Sequence, residues 1–194
     1  MRAIATVRAL TVLGGLAALC GCGEPGARTP PPSSPAPRVD APATPAASGC
    51  GGSAPAAVDG DAEQQVLELV NAQRRKHSLV DLRPSALLAD AARLHARDMA
   101  DDDYVEHDSF DRSQGQLTKA CEWSKRVRGF VPDERRLAEN IAAGASTPQE
   151  VVEGWMQSPV HRRNVLGGAY TELGVGYWAG GVAGFYWVAD FGGR

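Results

Sequence analysis

Between Asp61 and His77 apolar positions recur at steps of three and four. Val66, Leu69, Val70 and Gln73 line one side, while Glu63, Gln64, Arg74 and Arg75 occupy the other. That period predicts an amphipathic helix with its stripe turned to a core and His77 solvated at its end. A second helix is predicted from Ser85 to Asp101, where Leu88, Ala91, Ala92, His95 and Met99 share a face. His95 sits inside that apolar stripe, so it reads as a packed, hydrogen-bonded histidine rather than a catalytic one. Thr147-Pro148-Gln149-Glu150 starts a third helix. Thr147 can cap it, Pro148 takes the first position, where no amide donor is needed, and Glu150 completes a capping box. Val151, Val152 and Trp155 form its stripe, and Ser158-Pro159 ends it near Gln157. Ser158 then caps a short helix running through His161 to Asn164.

Near the C-terminus the period changes to two. Leu173, Val175 and Tyr177 alternate with Glu172, Gly174, Gly176 and Trp178, and Ala179-Gly180-Gly181 turns the chain. Phe185, Trp187, Ala189 and Phe191 then alternate with Tyr186, Val188 and Asp190. This predicts a β-hairpin. The apolar segment Leu137 to Ala142, interrupted by Glu139, fits another strand. Both faces of the second hairpin strand are apolar, so helices are expected above and below the sheet. The pattern therefore predicts an α+β domain with a small antiparallel sheet. Trp155, Trp178, Tyr186, Trp187 and Phe191 read as core at these periods, with an apolar ligand groove as the other reading. The charged stretch from Lys125 to Arg136 reads as a solvated loop.

Composition changes the picture at the N-terminus. Of 13 prolines in 194 residues, nine precede residue 60. Residues 23–60 are Pro, Ala, Ser, Thr and Gly with almost no large apolar side chain, so they cannot offset their own ordering entropy. They read as an extended tether, with a proline-ligand role as the alternative. Ahead of it, Arg2 and Arg8 precede a short apolar run that ends in Leu19-Cys20-Gly21-Cys22. This has the form of an export signal at 1–21, and its end resembles a lipobox with Cys22 as the lipidated residue that holds the protein to a membrane. Cleavage after Ala18 would instead release the protein. With Cys20 removed and Cys22 acylated, Cys50 and Cys121 remain in an oxidising compartment and are expected to pair. Residues 61–194 carry 16 basic and 20 acidic side chains, a balance of −4. No basic surplus exists to neutralise phosphates, which argues against a nucleic-acid partner.

Of the four histidines, His107 and His161 fall in turns beside helix ends, where chemistry is more often carried. Together with Glu139 they are a ligand set for a divalent metal such as zinc, with one position left for water. They equally form a metal-free hydrogen-bonded cluster lining a cleft. No His-Glu-x-x-His motif is present.

These residues sit in segments that resemble a known family. Val70-Asn71-Ala72-Gln73-Arg74, Tyr104-Val105-Glu106-His107-Asp108, Ala138-Glu139-Asn140-Ile141-Ala142, Trp155 through Leu166, Leu173-Gly174-Val175-Gly176 and Tyr186 through Gly192 are similar to the bacterial, SCP-like extracellular branch of the CAP superfamily. That superfamily comprises cysteine-rich secretory proteins, antigen 5 and pathogenesis-related 1 proteins. The resemblance implies a three-layer α-β-α sandwich for residues 61–194. It also implies a cleft with two histidines and two acidic residues. The histidines fall on His107 and His161 and the first acid on Glu139. The second acidic position falls on Ser158, and Glu153 is a misplaced substitute. Two functions are consistent with this set. One is a non-catalytic binding module for a lipid, glycan, peptide or partner protein. The other is a metal-dependent hydrolase of a peptide or cell-wall substrate, with Glu139 as general base.

Overall fold

A computed structural model describes Cys50 and residues 52–194. The expected export signal at 1–21, the expected lipidation at Cys22 and the expected tether up to residue 49 lie outside the described residues. The helices are α1 (Gly60–Lys76), α2 (Ala86–Asp101), α3 (Trp123–Phe130), α4 (Pro148–Gln157) and α5 (Pro159–Val165). The strands are β1 (Arg83–Pro84), β2 (Ser109–Ser113), β3 (Gln116–Cys121), β4 (Arg136–Ala143), β5 (Glu172–Gly180) and β6 (Gly184–Gly193).

Four strands form the central sheet in the order β1-β5-β6-β4. β4, β6 and β5 run antiparallel, but the two-residue β1 pairs parallel to β5, so the sheet is mixed at one edge rather than wholly antiparallel. On one face Val66 and Val70 of α1, with Val152 and Trp155 of α4, pack on Leu173, Val175, Trp187 and Phe191. On the other, Ala92, Ala96 and Met99 of α2 pack on Ile141, Tyr186 and Val188. The three-layer α-β-α sandwich follows from this two-sided burial. Trp155, Tyr186, Trp187 and Phe191 are core, while Trp178 is only partly buried against it.

Two glycines bring α2 onto the sheet. A Cβ on Gly174 would lie 2.1 Å from Leu88 C and Ala89 N, and one on Gly176 would lie 2.3 Å from Ala92 C and Arg93 N. The small residues alternating along β5 are therefore the seat of the helix backbone.

Caps and charges depart from the simple pattern. Thr147 Oγ1 accepts from Glu150 N as expected, but the Glu150 carboxylate accepts from Ser146 N and Oγ instead of closing the box on Thr147. Glu63 and Arg74, assigned by period to the solvent side of α1, are both buried. Arg93 forks onto Glu63, and Arg74 donates to the carbonyls of Val80, Val165 and Gly167. Both of these buried charges are thus hydrogen-bonded, as burial requires.

The stretch from Lys125 to Arg136 is not a solvated loop. Its first part belongs to α3, in which Trp123, Val127 and Phe130 pack against Leu88, Ala91 and Val131. The stripe at i, i+4 and i+7 is present but masked by the lysine and arginines between its members. A separate hairpin, β2–β3, precedes α3 and turns at Gln114 and Gly115, both with positive φ. At its end Cys121 is bonded to Cys50, with Cα atoms 4.9 Å apart. This is the expected pairing.

Gly174→Val should lift α2 from β5 and cost about 3 kcal/mol or more, measured by denaturant unfolding. Reducing the Cys50–Cys121 bond releases a cross-link spanning 71 positions. It should destabilise the domain by about 4 kcal/mol in the chain-entropy account, read as a lower Tm with dithiothreitol.

Candidate functional site

Glu139 is the centre of the polar cluster. It lies in the middle of β4 and is 4% exposed, which in isolation would disfavour its charge. The sequence answers with a cation from another element: Arg126 of α3, 1% exposed, donates from Nη2 to Glu139 Oε2. The second guanidinium nitrogen, Nη1, donates to His107 O at 3.1 Å and to Ser109 Oγ at 3.0 Å. His107 Nδ1 lies 2.9 Å from Glu139 Oε1 and donates to it. Both carboxylate oxygens are therefore engaged, and one arginine fixes the carboxylate and the segment carrying the histidine together.

Burial alone would raise the Glu139 pKa, but the Arg126 charge and the His107 hydrogen bond outweigh it and hold the carboxyl well below its ordinary range. The Glu139 hydrogen bond raises the pKa of His107, against partial desolvation. This pair stabilises the fold below the unfolded histidine value near 6.5, and its contribution is lost as pH rises through the raised folded value. His95 behaves oppositely. It is fully buried, its Nε2 lies 2.9 Å from Glu106 O, and burial drives its pKa down to about 3. It is the packed histidine its stripe predicts, and protonating it below the unfolded value destabilises the fold.

Above Glu139 opens a cleft of about 280 Å³ lined by His107, Trp123, Val160, Asn164 and Tyr170. Helix α5 presents Val160 and Asn164 to it, one turn apart, and His161 and Ser158 are not among the residues that line it. Instead the His161 backbone oxygen accepts from Asn140 Nδ2 at 3.1 Å. Its ring pKa is lowered by burial and by the His107 charge. Ser158 occupies the N-cap of α5 without a side-chain hydrogen bond, and Glu153 is exposed on α4. Asn164 Nδ2 donates to Glu139 O and Asn140 Oδ1, which ties α5 to β4.

The ligand atoms of His107, Glu139 and His161 do not all lie within 4.8 Å of one another. Among the described residues, the group of three acidic or histidine side chains with ligand atoms within 4.8 Å of one another is Asp98, Asp102 and Asp111, not His107, Glu139 and His161. Tyr104 and the Arg112 amide already donate into that acidic group. At Glu139 the neutralising cation is a guanidinium. Two larger cavities, about 380 and 450 Å³, lie beside the Glu63–Arg93 pair and beside Arg74. Their charged side chains are taken up by one another or by carbonyls, so the smaller cleft is the one with a half-exposed, oriented histidine.

Of the expected site residues, the structure brings His107 and Glu139 together. Sequence reasoning missed Arg126, Trp123, Asn164 and Tyr170. Arg126 and Trp123 were hidden in and beside the segment whose charges predict a loop. Asn164 had a signal, one helical turn after Val160 beside the histidine turn.

The model of the cysteine-rich secretory protein family, CAP, matches residues 67–191. The uncharacterized protein YkwD of Bacillus subtilis is 37% identical over 154 residues, 79% of this chain and 55% of that protein. The uncharacterized membrane protein YlbC of the same organism is 37% identical over 114 residues, 59% of this chain and 31% of its own. The chain thus spans about half or less of these relatives. An extracellular SCP-domain protein from Bacillus anthracis superposes with a TM-score of 0.59 at 30% identity, over 71% of this chain and 42% of that one. An outer surface protein of Borrelia burgdorferi shares the fold, with a TM-score of 0.60 at 18% identity over 71% of this chain and 96% of its own. The family model covers well over half of the chain, and the chain belongs to the CAP family of cysteine-rich secretory proteins.

Proposed function

We propose that this protein is an exported, non-catalytic binding module that takes one sugar or amino-acid unit of an envelope glycan or peptide into the cleft over Glu139. The observation that carries the reading is the saturation of Glu139: Arg126 and His107 occupy both oxygens, leaving a poor base for activating water. The same carboxylate favours the imidazolium form of His107, which donates rather than accepts at Nε2. A ligand carboxylate, phosphate or carbonyl suits that donor, while Trp123, Tyr170 and Val160 supply apolar walls. A cleft of about 280 Å³ has room for a single ring or side chain and little more. The Bacillus anthracis relative is described as extracellular, which supports an exported location, and the lipobox form of Leu19 to Cys22 supports a lipid anchor.

One observation favours a hydrolase instead. His107, with Nδ1 held by a buried carboxylate, has the orientation of a general base whenever its Nε2 is deprotonated. Cosedimentation with purified peptidoglycan separates the two readings. His107→Ala and Trp123→Ala should each weaken binding about tenfold, with no release of soluble fragments by the parent protein. Fragment release that disappears in Glu139→Gln, with binding retained, would establish the hydrolase. Mass spectrometry of membrane-extracted protein should find Cys22 as a diacylated N-terminus; an unmodified N-terminus after Ala18 would replace the anchored form with a secreted one.

A further inference from the structure

Asp190 is a buried carboxyl group that neither the cleft nor the apolar core accounts for. It has no exposed surface, and no hydrogen-bond donor reaches either of its oxygens. It lies on β6 directly across from Glu139 on β4, while its partner on β5 is Gly174, which has no side chain to offer. Opposed Cβ atoms of an antiparallel pair stand about 4.5–5.5 Å apart, within which two carboxyl groups touch. The charged groups facing Asp190 are Glu139 from β4 and Arg126 from α3. His95 of α2 and His107 complete the cluster around Glu139. Arg126 directs its Nη donors to Glu139, His107 and Ser109, and its Nε, though buried, has no partner, so the guanidinium makes no hydrogen bond to Asp190.

Arg126 and His107 both engage Glu139, so an ionised Asp190 would be a second buried carboxylate beside the first, with two oxygens and no donor. A single proton removes both defects, because a protonated carboxyl is itself a donor.

We propose that Asp190 is held as the neutral carboxylic acid and donates its hydrogen bond to Glu139, making it the positioning residue that locks Glu139 between Arg126 and His107. Burial and the adjacent Glu139 charge both push Asp190 well above the ordinary carboxylate range, with Arg126 opposing. Glu139 then carries the one negative charge of the pair, matched by Arg126, and its remaining oxygen is free to orient the His107 ring. This state holds whether the cleft is empty or filled, so it stands apart from the identity of any ligand.

The test uses the full-length protein. Infrared difference spectra with ¹³C-labelled aspartate should show a protonated-carboxyl band near neutral pH that is absent in Asp190→Asn. Absence of the band from the parent protein overturns the proposal. In NMR titrations of His107, Asp190→Asn keeps a donor and a neutral group and should leave the pKa unchanged. Asp190→Leu removes the donor and should lower the His107 pKa toward that of a free imidazole. A change of about one unit in Asp190→Asn would reveal a lost negative charge and overturn the proposal, as would identical titrations in all three proteins. Should Asp190→Leu fail to fold, the infrared band and the Asp190→Asn titration decide the matter.

Discussion

The ion pair between Arg126 and Glu139 is the constraint on which the rest of the site depends. Neither group can be buried alone, since an unpaired interior charge costs several kcal/mol, and removing one partner typically costs more than the pair contributes. Once Glu139 is placed in mid-strand, α3 must lie where its arginine reaches the carboxylate. The segment from His107 to Ser109 must in turn supply the oxygens that satisfy the other side of the guanidinium. A helix, a loop and a strand are thereby fixed relative to one another by one side chain.

Close packing makes that constraint sharp. Helix α2 rests on β5 through Gly174 and Gly176, nearer than any side chain would permit, and seals this face of the sheet from water. In so dry an environment His95 is neutral and Asp190 has no solvent to turn to. The same closeness gives Glu139 its strong dependence on the nearest cation. The packing of apparently featureless glycines is thus upstream of the electrostatics two strands away.

Legibility in the sequence followed the strength of the local signal. Helices α1, α2 and α4 and the β5–β6 hairpin have uninterrupted periods, and each falls within a few residues of its expected limits. Helix α3 was invisible because the residue that completes its inward face, Arg126, is charged, and a charge in a stripe reads as solvent until its partner is known. Glu63 and Arg74 failed for the same reason, with partners 30 residues or more away for the former and carbonyls of distant turns for the latter. His107 and Glu139 were legible as types in telling places, but that Val160 and Asn164 line the cleft depended on which face α5 shows to β4. That choice is made by Asn140 and Asn164 pairing across the interface. Asp190 looked like the polar half of an alternating strand, and only the register opposite Glu139 gives it significance.

The Cys50–Cys121 bond also defines how the domain is held. Any pull on the chain preceding Cys50 enters the domain at two points in parallel: through the short strap to Gly60 and α1, and through Cys121 at the end of the β2–β3 hairpin. Helix α3 starts two residues after that second point. Tension on the N-terminal segment is therefore shared between the two faces of the sandwich instead of peeling α1 from its edge, and half of the mechanical path ends beside the helix that carries Arg126.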